Sequence, residues 1–111
     1  MKKITHAKVS VSLDEGQAEL AVHKDDTIIV KMPMVAGTGF VWQIEGKPAT
    51  CTLAAVNYEK MPKGLMGGTT QQEFSLIATA KGKEDIKFFY SRPFEKGHPP
   101  VKTSILHITV E

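Results

Sequence analysis

Thr27-Ile28-Ile29-Val30-Lys31-Met32-Pro33-Met34-Val35-Ala36-Gly37-Thr38-Gly39-Phe40-Val41-Trp42-Gln43-Ile44 is the stretch whose reading decides the fold. Its first third is β-branched and apolar, with Ile28, Val30 and Met32 falling on one face of an extended chain. Pro33 lacks the N–H of a ladder and is expected to end that strand. Phe40 to Ile44 resumes as a strand, and Trp42 in its middle is suited to a large buried ring between two sheets. Between the two lies a Gly-Thr-Gly tip. Glycine reaches backbone angles that other residues avoid. Such a tip can turn sharply and bring bare backbone close to another surface.

Working outward, the same period of two recurs. Val9, Val11 and Leu13 alternate with polar neighbours; Asp14-Glu15-Gly16 turns; Ala18, Leu20 and Val22 alternate again. These two runs read as a hairpin or as two segments of an edge region. Ala49 to Val56 alternates after the Glu45-Gly46-Lys47-Pro48 turn. From Asn57 to Gln72 no element is evident, a length that points to function. Phe74, Leu76, Ala78 and Ala80 form the next run, and Ile86, Phe88 and Tyr90 the one after it. Ser91 to Pro100 is a loop stiffened by three prolines, and Leu106, Ile108 and Val110 share a face in the last run. No stretch carries helical spacing over ten or more residues. Seven or eight short strands separated by Gly/Pro turns predict an all-β protein, an Ig-like antiparallel β-sandwich forming a single domain over residues 1–111.

Composition excludes several classes. At 111 residues the chain has room for a core without disulfide staples. A net charge of +2, with both signs interspersed, lacks the clustered Lys/Arg and interleaved aromatics of a nucleic-acid binder. The basic start, Met1 to His6, is followed by no apolar run, and no segment is long enough to span a membrane. A cytoplasmic location is expected if this start is native; a secreted, periplasmic or vesicular one if a signal has been removed. No nucleic-acid or membrane partner is expected, and the chain reads as a monomer.

Catalytic chemistry is also poorly provided for. His6, His23, His98 and His107 are scattered, none at metal-ligand spacing with another His, Cys or carboxylate, so no metal or other cofactor is expected. His107 reads as a solvent-facing strand residue. Cys51, the only cysteine, lies in an alternating apolar run and reads as a small core residue, not a nucleophile. There is no Gly-x-Ser-x-Gly elbow and no Walker loop, and the Gly-Thr-Gly tip is not followed by the helix of a phosphate cradle. The chain does not read as an enzyme.

What stands out is three unusual loops: Val35 to Phe40, Lys63 to Thr70, and Arg92 to Gly97. Counted as the second, fourth and sixth connections of an Ig-like sandwich, they would cluster at one end. Their order and spacing resemble the chagasin family of cysteine peptidase inhibitors. Thr38-Gly39-Phe40 and Trp42 match that family's Asn-Pro-Thr-Thr-Gly-[Phe/Tyr]-x-Trp stretch, with Val35-Ala36-Gly37 where the family has Asn-Pro-Thr. Gly67-Gly68 resembles its Gly-x-Gly-Gly loop, with Leu65 at the first glycine. Counted back from Phe74, Gly67 is instead the first glycine and Thr69-Thr70 replace the pair. Arg92-Pro93-Phe94 matches its Arg-Pro-[Trp/Phe] loop in full.

The resemblance implies a tight, reversible, non-covalent inhibitor whose partner is a papain-like cysteine peptidase, with three loops filling the active-site cleft. The implied contacts are Gly37, Thr38, Gly39 and Phe40 in the first loop, Leu65, Met66, Gly67 and Gly68 in the second, and Arg92, Pro93 and Phe94 in the third. Thr38-Gly39 would lie over the catalytic Cys/His pair. The second loop would run extended along the non-primed subsites, and the third would cover the primed side. Phe40, at the start of a strand, has a competing role as a core residue. The alternative reading is an Ig-like adhesion or interaction module without a peptidase target.

Overall fold

Residues 8–35, 39–58, 69–92 and 99–111 are described by the structure, a computed structural model. Eight strands follow the sequence alternation: β1 (Lys8–Ser12), β2 (Gly16–Val22), β3 (Thr27–Val35), β4 (Val41–Ile44), β5 (Cys51–Tyr58), β6 (Thr69–Ala78), β7 (Gly82–Ser91) and β8 (Lys102–Val110). They form two four-stranded sheets, β1-β3-β6-β5 and β2-β8-β7-β4, the all-β Ig-like sandwich that the sequence leads one to expect. Alternate residues meet between the sheets: Ile28, Val30 and Met32 from β3, Phe74 and Leu76 from β6, Ile86, Phe88 and Tyr90 from β7, Leu106 and Ile108 from β8. Trp42 and Cys51 are buried among them, as their places in the alternation predict.

Three expectations are corrected. First, β1 and β2 are not a hairpin. Each is an edge strand, in different sheets, and each pairs in parallel: Lys8 opposite Thr27 and Gly16 opposite Ser104. The chain crosses from one sheet to the other at Leu13, which is buried and whose N–H bonds Lys31 O, while the Ser104 hydroxyl donates to Asp14 O. On the outer face His107, half-buried, bonds Asp85 on one side and Gln17 on the other, tying β2 to β8 and β7. Second, Pro33 does not end β3, which runs on to Val35 opposite Thr69. The pairing with β1 stops at Lys31, so the proline interrupts no β1 ladder. Third, β5 alternates in sequence but not in burial. Beyond Cys51 all its residues are exposed, Leu53 at 42% and Tyr58 at 55%. β5 is an edge strand with a register shift between Leu53 and Ala55, and β4, the facing edge, is only four residues long. An apolar groove opens between the two edges, lined by Val41, Ile44, Leu53 and Val56.

At the end where β7 begins, Glu84 fastens the sheets together. Its carboxylate accepts the N–H of Ala49 and of Thr50, each at 2.8 Å, and the Thr50 hydroxyl at 2.5 Å. Partial burial opposes ionisation of Glu84, but these donors outweigh it and hold the carboxyl below its usual range. A depressed carboxyl pKa stabilises the fold above the unfolded-state value, and that contribution is lost as pH falls through the folded-state value. Glu84→Gln is therefore expected to lower stability at neutral pH. The gap from the parent should narrow as pH falls below the ordinary glutamate value of 4.5. Urea unfolding across a pH series checks this; a gap that stays constant into acid contradicts it.

Candidate functional site

Strand register decides where the loops emerge. In the first sheet, Val35 at the end of β3 lies opposite Thr69 at the start of β6, and Tyr58 at the end of β5 lies opposite Gln72. In the second sheet, Val41 at the start of β4 lies opposite Ser91 at the end of β7, and Tyr90 lies opposite Lys102 at the start of β8. Side-chain bonds across the gap between sheets put these positions at the same end of the sandwich: Val35 N–H donates to the Tyr90 hydroxyl at 3.1 Å, and Gln72 meets Trp42. The stems of all three loops therefore share one end. They are the third, fifth and seventh connections, not the second, fourth and sixth, because β1 and β2 count as separate strands in separate sheets.

The floor beneath the loops is an aromatic column. The Arg92 guanidinium lies 4.4 Å from the centroid of Phe40, Phe40 stacks on Tyr90 at 5.4 Å and 23°, and Tyr90 tilts against Trp42 at 5.0 Å. Lys102 Nζ lies 5.7 Å from the Tyr90 centroid. Each ring pair contributes about 0.5–1.5 kcal/mol beyond area burial, and an exposed cation on a ring about 0.5–1 kcal/mol. The column joins the stem of the third loop, Arg92, to that of the first, Phe40. Trp42 adds a polar tie of its own: its indole N–H donates to Pro33 O at 2.9 Å, linking the strand that enters the first loop with the one that leaves it.

Of the residues expected at the site, Gly39, Phe40 and Arg92 are described, and they lie together at this end. Gly37, Thr38, Leu65, Met66, Gly67, Gly68, Pro93 and Phe94 fall outside the described residues, and so does the choice between the two registers of the Gly67-Gly68 loop. Gly39 has φ +83°, in the left-handed region, so the turn at this position does need a glycine. Phe40 is half-buried and packs on the core, the competing role the sequence allowed. The second loop is shorter than its polar composition suggests, because Thr69 to Gln72 already belong to β6. Gln72 escaped the sequence reading altogether. It occupies an inward strand position that alternation reserves for apolar residues, and a glutamine gives no apolar signal there.

Among the described residues no acid–base or nucleophilic centre accompanies this end. Burial raises the pKa of the Cys51 thiol, and the neighbouring Glu84 charge adds to this against a Thr50 hydrogen bond, so the sulfur stays protonated and enclosed. What the described residues offer at this end is a floor of packed rings beneath three loop stems.

Comparison with known proteins gives the same picture from another side. Amoebiasin-2 of Entamoeba histolytica is 28% identical over 109 residues, covering 96% of this chain and 89% of that protein. The crystal structure of EhICP2, a cysteine protease inhibitor of Entamoeba histolytica, superposes with a TM-score of 0.73 at 26% identity, covering 94% of this chain and 97% of the other. PbICP-C, solved in complex with falcipain-2, shares the fold at a TM-score of 0.64 and 20% identity, over 93% of this chain and 99% of that one. The family model described as chagasin family peptidase inhibitor I42 matches residues 21–108, and the chain belongs to the chagasin family of peptidase inhibitors.

Proposed function

We infer that this chain inhibits papain-like cysteine peptidases by occluding the active-site cleft with the loops at 35–40, 63–70 and 92–97. The observation that carries this reading is the convergence of all three loop stems at one end, on a floor fixed by side-chain contacts. Inhibition of this kind requires no bond making. It requires a wedge whose shape exists before docking, so that little conformational freedom is lost on binding. An interface of the standard size, about 1,600 Å² in total, reaches nanomolar affinity, about −12 kcal/mol, when its anchors are well packed.

Roles within the wedge follow the family resemblance. Thr38 and Gly39 are small enough for the narrow part of the cleft above the catalytic pair. Leu65, Met66, Gly67 and Gly68 present main chain along the non-primed subsites, and Pro93 and Phe94 cover the primed side. Gly37 stands where the family pattern has threonine and leaves a smaller residue at that contact. Arg92 and Phe40 support the wedge through their mutual stacking as well as extending its surface. The adhesion-module alternative gains nothing from this geometry.

Titration of papain with the purified chain is expected to give reversible inhibition at nanomolar concentration; full peptidase activity at micromolar protein contradicts the reading. Thr38→Trp should weaken inhibition by about a hundredfold, or about 2.7 kcal/mol, with the melting temperature nearly unchanged. Equal affinity for that variant means that the first loop stays out of the cleft. Gly39→Ala places a Cβ at φ +83° and should lower the unfolding free energy by about 1–2 kcal/mol, read by urea denaturation.

A further inference from the structure

The two sheets of a sandwich share no backbone ladder, yet at the loop end one side chain supplies a substitute for one. Gln72 is 1% exposed, and its carboxamide makes two bonds to a single residue of the other sheet. Trp42 N–H donates to Oε1 at 2.8 Å, and Nε2 donates to Trp42 O at 2.7 Å. A strand residue's N–H and C=O point to the same side, and β4 is the edge of its sheet, with β7 as its strand neighbour. Since both main-chain groups of Trp42 meet Gln72, they point off the open edge of β4. The carboxamide stands where the next strand would be and reproduces its donor and acceptor.

Burying an amide side chain without partners costs several kcal/mol, and a leucine of similar size would fill the space without that penalty. What glutamine adds is direction: its donor and acceptor fit Trp42 only at one separation and one angle. The placement of the pair is informative. Trp42 lies three residues after Gly39, where the first loop returns, and Gln72 three residues after Thr69, where the second loop returns. The indole N–H of Trp42 meanwhile holds Pro33 O in the strand that enters the first loop. Rotation or sliding of either returning strand would break both amide bonds at once.

We propose that Gln72 is a positioning residue for inhibition, setting the spacing and angle between the first and second loops through its two-point clamp on the Trp42 main chain. The role rests on the inhibitory reading above and assigns part of its preorganisation to one buried carboxamide. Gln72 touches no peptidase. It acts through Trp42, and its loss releases freedom that docking must then remove.

The test compares Gln72→Leu and Gln72→Glu with the parent chain against papain, after near-UV circular dichroism has established that each variant is folded. Gln72→Leu fills the space but cannot bond Trp42, and its Ki is expected to rise by about tenfold or more. Gln72→Glu carries an internal control. A protonated carboxyl presents one donor and one acceptor as the amide does, whereas a carboxylate can only accept, and burial favours the protonated form. The ratio of its Ki to the parent's should therefore be near one at about pH 5 and rise by about tenfold toward pH 8. A purely structural glutamine would alter the unfolding midpoint without making this ratio depend on pH. Ki values for both variants within about twofold of the parent at every pH overturn the proposal. A parent chain that leaves papain uninhibited overturns the inhibitory reading itself and this role with it.

Discussion

Among the described residues, only side chains hold the two sheets in register at the loop end, and the candidate site depends on how they do so. Apolar packing between Phe74, Phe88 and Leu106 brings the sheets together but tolerates sliding, because dispersion and hydrophobic burial have no direction. Direction comes from a few polar contacts across the gap: Gln72 to the Trp42 main chain, the Trp42 indole to Pro33, and Val35 N–H to the Tyr90 hydroxyl. The first of these uses the Trp42 main chain, which points off the open edge of β4. Closing the sandwich and aiming the loops are thus one physical act.

The aromatic column complements these bonds. Arg92, Phe40, Tyr90 and Trp42 form a continuous stack from the stem of the third loop to the strand leaving the first. Rings carry large contact area with few rotatable bonds, so a column of them loses little entropy in being fixed. The opposite end is fastened differently, by the Glu84 carboxylate on the Ala49 and Thr50 amides. One end is held by charge-assisted bonds and the other by stacking and amide geometry, and the candidate loops sit on the latter.

How much of this was legible in the sequence varies with the kind of signal. The inward residues of β3, β7 and β8 stand out because Ile28-Val30-Met32, Ile86-Phe88-Tyr90 and Leu106-Ile108-Val110 alternate cleanly. Alternation, however, says which way a side chain points and nothing about which strand lies alongside. The parallel pairing of β1 with β3 and of β2 with β8 was therefore invisible. Pro33 read as a stop because a proline's effect depends on whether its N–H was needed, which only the end of the β1 pairing reveals. The second loop read too long because Thr69 to Gln72 are polar, and a strand whose inward residue is a satisfied glutamine looks like a loop. Loop motifs carried the function, since three short patterns in order are more specific than any one of them. The clamp that aims them rested on Gln72, which belongs to none of those patterns.

The parallel pairing of β2 with β8 also sets an order in time. β8 lies between β2 and β7, so during synthesis the second sheet has a gap in its middle until residues 102–110 have been made. Gly16 to Val22 must wait for partners at Ser104 to Val110, and until then one edge of β7 has no strand beside it. Such distant pairing is slow to find and leaves strand edges open in the interim. Val41 and Ser91 pair with each other without it, but the loop stem at Lys102 meets its partner Tyr90 only in that final step. A nascent chain of this protein therefore has the return of its third loop unanchored until β8 slots in between β2 and β7.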